Sequence, residues 1–202
     1  MLEDKFKLLC QNFTHNTKII NQLWLEIERE YSSKNRYYHT LRHLQSIYKV
    51  LEPFKLDTLL EFSIFYHDII YDVKASNNEE QSAFFAKKSM KQLNVPTKLQ
   101  EEVFNLIIET KTHQTNCEEN ALFIDADLAI LGSSKKNYQE YILNIRKEYA
   151  HYSDKIYKNS RKKVLESFLK EERIYKSKHF YEYFEEQAKS NIKSEINSLS
   201  IS

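Results

Sequence analysis

His67 and Asp68 stand between two apolar runs, Phe62-Ser63-Ile64-Phe65-Tyr66 before them and Ile69-Ile70-Tyr71 after them. A carboxylate in such a stretch is costly to bury unless a partner neutralises it, and a divalent cation is the most effective partner available. The local alternative is that Asp68 caps or pairs nearby while His67 is a core histidine with its hydrogen bonds met. Upstream, His39 and His43 are four residues apart (43 − 39), the spacing that puts two side chains on one face of a helix. Downstream, Asp125 and Asp127 lie among Leu122, Phe123, Ile124, Leu128, Ile130 and Leu131, a second case of carboxylates inside an apolar helical stretch. One cation shared by imidazoles and carboxylates from these separate stretches would remove these costs together. Such a mixed nitrogen and oxygen set suits Mn, Fe, Co, Ni, Zn or Mg and does not demand the thiolate cage of a structural zinc site. With coordination positions left open, the ion would keep a water and make it a usable nucleophile near neutral pH.

Helices must position these groups. The chain has a single glycine, Gly132, and two prolines, Pro53 and Pro96, too few for a sheet protein with many tight turns. Apolar residues recur at helical spacing from Leu2 to Glu30, as one long or two shorter helices, and Tyr31 to Tyr38 reads as a loop. Predicted helices from His39 to Leu51 and from Asp57 to Tyr71 carry most of the chemistry. Ser76 with Glu79, and Thr97 with Gln100, fit capping boxes opening helices that run to about Leu93 and Thr112. Further helices are expected at Asn120 to Leu131, with Gly132 as a stop, and at Tyr138 to Tyr152, Arg161 to Glu172 and His179 to Leu199. The fold expected is all-α. A length of 202 residues fits one domain spanning the chain, and the 14 Tyr and 12 Phe can close its core.

Lys and Arg number 30 against 29 Asp and Glu, so a formal charge of +1 gives no field that would favour a nucleic acid or an anionic membrane. The lysine-rich stretches sit between apolar positions and read as solvated helix faces. Cys10 and Cys117 form no CxxC pattern, as suits a reducing cytosol. No run approaches a membrane span and the N-terminus lacks a signal-peptide core, so the expected location is cytoplasmic.

An ordered His, then His-Asp, then a distant Asp resembles the pattern of the HD superfamily of metal-dependent phosphohydrolases. The segments Arg36 to His43, Phe65 to Asp72, Asn78 to Ala83, Thr110 to His113 and Asp125 to Gly132 are similar, in that order, to a bacterial group of predicted HD phosphohydrolases, and the likeness continues through Arg146, Tyr149 and Arg161 to Asn191. The resemblance implies a helical HD domain with additional C-terminal helices, with His43, His67 and Asp68 as metal ligands and a final Asp completing the set. The superfamily's usual Ala-Asp followed by an apolar residue selects Asp127, whereas a helix turned by half a step would present Asp125.

Around this core, Asp68, Asp72 and His113 are the catalytic candidates. Asp72 lies four residues after Asp68 (72 − 68), on the same face of a continuous helix, where it could orient the water or act as general acid. Glu79 could share that role or serve only its capping box. Arg36, His39, Arg42 and Lys111 are the substrate-binding candidates, the arginines as fork-shaped donors to phosphate oxygens and His39 also as a ligand to a second metal. The expected reaction is hydrolysis of a phosphomonoester or phosphodiester of a small, nucleotide-like molecule. The alternatives are a non-catalytic metal-containing binding module and a di-iron oxygenase that would enlist His39, Asp72 or His113.

Overall fold

The computed structural model describes residues 1–115 and 117–200, and every regular element among them is helical. The all-α expectation holds. The chain divides into two compact units, Met1–Thr115 and the described residues from 117 onward. Among the described residues, no helix is long and apolar enough to cross a membrane.

The first unit contains α1 (Leu2–Gln11), α2 (Thr17–Tyr31), α3 (Leu41–Val50), α4 (Thr58–Tyr66), α5 (Asn78–Gln92) and α6 (Thr97–Glu109). α4 is its centre, in contact with α1, α3, α5 and α6. Leu60, Phe62, Ser63, Ile64, Phe65 and Tyr66 are all buried, so α4 is apolar around most of its circumference, with Glu61 half-buried near its start, as suits a helix largely enclosed by others. Phe6 of α1 meets Phe65 edge-on at 5.1 Å, and Trp24 of α2 lies 6.1 Å from Phe6. Much of the aromatic content therefore goes into the core, although Tyr37, Phe84, Tyr181 and Tyr183 are exposed.

Helix boundaries depart from the sequence reading where a cap intervenes. Of the two readings of Leu2 to Glu30, the two shorter helices hold, and Asn16 accepts a hydrogen bond from the Ile19 amide at 3.2 Å at the start of α2. Thr40, extended at φ −116° and ψ 178°, accepts one from the Arg42 amide and starts α3 two residues later than expected. His39 is thus outside the helix, and the predicted shared helix face with His43 does not exist. The Ser76 capping box is also absent: Asn77 precedes α5. Pro96, fixed at φ −56°, occupies the position before α6 that was expected of Thr97. α6 ends at Glu109, and His113 adopts a left-handed φ of 53° while its amide reaches back to the Glu109 carbonyl at 3.0 Å.

The second unit holds α7 (Glu118–Asp127), a 3-10 segment (Leu128–Gly132), α8 (Lys135–Glu148), α9 (Asp154–Lys170) and α10 (Lys178–Ser200). α8 and α9 begin earlier than predicted because the hydroxyls of Ser134 and Ser153 accept from the Asn137 and Ile156 amides. α10 packs against the 3-10 segment, α9 and α7. A buried ion pair ties three of these helices. The Glu195 carboxylate of α10 accepts from Arg161 Nε of α9 at 2.8 Å and from the Tyr138 hydroxyl of α8 at 2.5 Å.

Gly132 was expected as a helix stop, and it closes the 3-10 segment that follows α7, with a φ that is not positive. Its requirement is space: a Cβ there would come within 2.7 Å of both the Cβ and the carbonyl oxygen of Phe184. Backbone atoms of α10 cannot retreat as a flexible side chain would. Gly132→Ala is expected to destabilise the second unit by about 1 to 3 kcal/mol, the usual range for overpacking. Thermal unfolding followed by circular dichroism should show a lowered midpoint with the helical content retained.

Candidate metal centre

His43 enters the site from the first turn of α3, whose buried face also includes Leu44, Ile47 and Tyr48. His67 is the residue at which α4 ends, and its amide still bonds to the Ser63 carbonyl at 2.9 Å. The chain then turns, with the Ile69 amide on the Tyr66 carbonyl, so Asp68 leaves the helix axis at the end of the most apolar element of the unit. His43 and His67 are 3% and 1% exposed, and Asp68 is half-buried beside them, with 21% of its side chain exposed.

The two imidazoles present Nε2 to Nε2 at 3.1 Å. His67 Nδ1 faces the Ile64 carbonyl at 3.0 Å. A carbonyl only accepts, so Nδ1 carries the proton and, in the neutral ring, Nε2 offers its lone pair toward His43. Asp68 Oδ2 lies 3.3 Å from His67 Nε2 and 3.9 Å from His43 Nε2. Two imidazole nitrogens each about 2.0 to 2.1 Å from one ion would be about 2.8 to 3.0 Å apart at right angles and about 3.3 to 3.4 Å apart at the tetrahedral angle, so a spacing of 3.1 Å suits a shared ion. His43, His67 and Asp68 are therefore a donor set that can hold a metal ion.

The turn that carries His67 and Asp68 is held from three sides. The buried Arg36 guanidinium donates to the carbonyls of Asp68 at 2.6 Å, Ile69 at 2.7 Å and His39 at 3.2 Å. Carbonyls just past a helix end lack partners within the helix, and a cation there also complements the helix dipole. The same guanidinium lies over the rings of Tyr31 and Tyr71, at 4.9 and 5.5 Å. Ser82 Oγ of α5 exchanges hydrogen bonds with the amide and carbonyl of Ile70 at 3.1 and 3.2 Å. Asn78, at the start of α5, does the same with the backbone of Asp72.

His39 remains beside the cluster although it lies outside α3. Its Nε2 is 3.8 Å from Asp68 Oδ2, and its ring stacks on Tyr71 at 4.2 Å. Asp72 does not share a helix face with Asp68, because α4 has already ended; it is exposed and its carboxylate accepts from the Lys74 amide at 2.9 Å. Arg42 is exposed on α3. Lys111 reaches the Glu80 carboxylate at 2.5 Å and the Ser76 carbonyl at 2.8 Å, which raises its own pKa and lowers that of Glu80, chiefly through their hydrogen bond. Glu79 stands 3.9 Å from the same ammonium. His113 is placed at the C-terminal end of α6.

In the second unit, Asp125 is fully buried. Its Oδ1 accepts from the Lys176 amide at 3.0 Å, and its Oδ2 accepts from the amide and the hydroxyl of Ser177, both at 2.6 Å. Burial raises its pKa, and these hydrogen bonds oppose the rise. Asp127, the last residue of α7, is half-buried.

Sequence reasoning missed Ser82, Asn78 and Tyr71 as supports of the His67-Asp68 turn, and it considered Arg36 only as a phosphate donor. The one available signal was a polar Ser82 beside the buried Ala83 and Ala86. Comparison with protein-family models, with curated proteins and with solved structures finds no match to this chain.

Replacing Arg36 by Met would leave the carbonyls of Asp68 and Ile69 without their donor. A loss of about 2 to 3 kcal/mol is expected from buried acceptors so abandoned. Urea unfolding should show a lower midpoint for Arg36→Met than for Arg36→Lys, which keeps one donor.

Proposed function

We propose that the chain is a metal-dependent phosphohydrolase of the HD superfamily type, acting on a small phosphorylated, nucleotide-like substrate. The observation that carries this reading is the Nε2 to Nε2 approach of the buried His43 and His67 beside the Asp68 carboxylate. A core that wanted only packing would not enclose two imidazoles and a carboxylate at a helix end. The order of the sequence segments from Arg36 to Gly132 supports the family assignment.

The fourth ligand in this proposal is Asp127. Asp125 already accepts three hydrogen bonds within its own unit, and Ala126-Asp127-Leu128 has the Ala-Asp-apolar order of the superfamily. Mn, Fe, Co, Ni, Zn or Mg fits the nitrogen and oxygen donors. A divalent ion held there supplies a Lewis acid for a phosphoryl oxygen and an acidified water as nucleophile. His67 is fixed in orientation by its Nδ1 bond to Ile64, and Asp68 by the Arg36 clamp on its carbonyl. His39, 3.8 Å from Asp68, is the imidazole placed to hydrogen-bond a phosphate or move a proton at the edge of the cluster.

A panel of phosphorylated metabolites and nucleotides, assayed for phosphate release with several divalent metals, tests the activity. Chelation should abolish turnover and added metal should restore it. His67→Ala and Asp68→Ala should each lose both bound metal and turnover. Unchanged metal content in either variant contradicts the proposal, and two irons per chain without phosphate release would point to oxidation instead.

A further inference from the structure

α7 ends at Asp127, and the backbone continues as a 3-10 segment. Helix ends are the least constrained part of a helix, yet a metal ligand has to be held to about 0.5 Å. The connection between α9 and α10 grips α7 on both sides of that residue. Before it, the Asp125 carboxylate receives the amides of Lys176 and Ser177 and the Ser177 hydroxyl. After it, the Leu128 carbonyl receives the buried Tyr175 hydroxyl at 3.0 Å. The connection is itself held: both oxygens of the buried Glu185 accept from the Ile174 amide, and one of them from the Tyr175 amide, all at 3.1 Å. The amides of four consecutive residues, Ile174 to Ser177, are thereby committed to two buried acids.

Each residue turns an α-helix by about 100°, so side chains two positions apart point to roughly opposite sides of it. With Asp125 drawn to the connection, Asp127 is set on the other side of α7. We infer that residues 174–177 form a positioning strap for Asp127, with Tyr175 and Ser177 as positioning residues that fix its carboxylate through Leu128 and Asp125. This rests on the reading of Asp127 as a ligand. The two aspartates then divide the work, one anchoring the helix and the other facing the ion.

The test uses the full chain and Co(II) alone, with affinity and visible absorption as readouts and circular dichroism as the check on folding. Ser177→Ala and Tyr175→Phe each delete a single hydroxyl. Both are expected to weaken Co(II) binding by about tenfold, the low end for partners that orient ligands, and to alter the absorption bands that report coordination geometry. Ser177→Thr, which restores the hydroxyl, should recover the wild-type affinity. Wild-type affinity and spectrum in both hydroxyl-deleted variants, with only the thermal midpoint lowered, would mean that the strap serves stability alone and would overturn the inference. Asp127→Ala separates the underlying reading: unaltered Co(II) affinity there means that Asp127 is no ligand, and the inference falls with it.

Discussion

Two imidazole nitrogens brought to 3.1 Å in the interior of a protein, with a carboxylate beside them, constrain everything around them. Neutral rings meet there with at least one lone pair directed at the other ring, and charged rings would repel. The arrangement persists because its surroundings determine it. α4 is enclosed by its neighbours, so the residues at its end are carried into the interior, and α3 delivers His43 from a helix start fixed by Thr40. The site is a consequence of where a largely apolar, enclosed helix stops.

What stops the helix and shapes the turn is mostly polar and mostly local to the first unit. Arg36, Ser82 and Asn78 satisfy the backbone of residues 68 to 72. An aromatic pair, Tyr31 and Tyr71, flanks the guanidinium, and Tyr71 also stacks on His39. The polar support and the donor set are thus one connected structure.

The sequence revealed the anomalous groups more readily than it revealed what holds them. His67-Asp68 stood out because ionisable residues interrupt an apolar run, and the paired aspartates stood out for the same reason. Helix periodicity and the scarcity of glycine were enough for the all-α class. Boundaries failed where one side-chain hydrogen bond decides them: Thr40 removed His39 from α3, and Pro96 displaced Thr97. The face shared by Asp68 and Asp72 failed because nothing in FYHDIIYD announces that the helix ends at Tyr66; the carbonyls freed there are taken by an arginine 32 residues earlier. Gly132 was read as a stop, and it does end the 3-10 segment, but the sequence did not show that it also admits the backbone of a helix 52 residues later (184 − 132). Contacts over such separations have no local signature. The anchoring of Asp125 could not be read from the sequence for the same reason, since its partners lie beyond position 170.

The amides of Ile174 to Ser177 have one more implication. A main-chain N–H is furnished by nineteen of the twenty amino acids, and proline alone withholds it. The side chains of Ile174 and Lys176 can therefore drift over evolutionary time without loosening the amide contacts, provided no imino acid enters. The acceptors, Asp125 and Glu185, have no such latitude, since shortening, lengthening or neutralising either would strand several donors in a dry interior. Heritable constraint at this tether should accordingly fall on two acids far apart in the chain and, within the segment they hold, on the two hydroxyls of Tyr175 and Ser177.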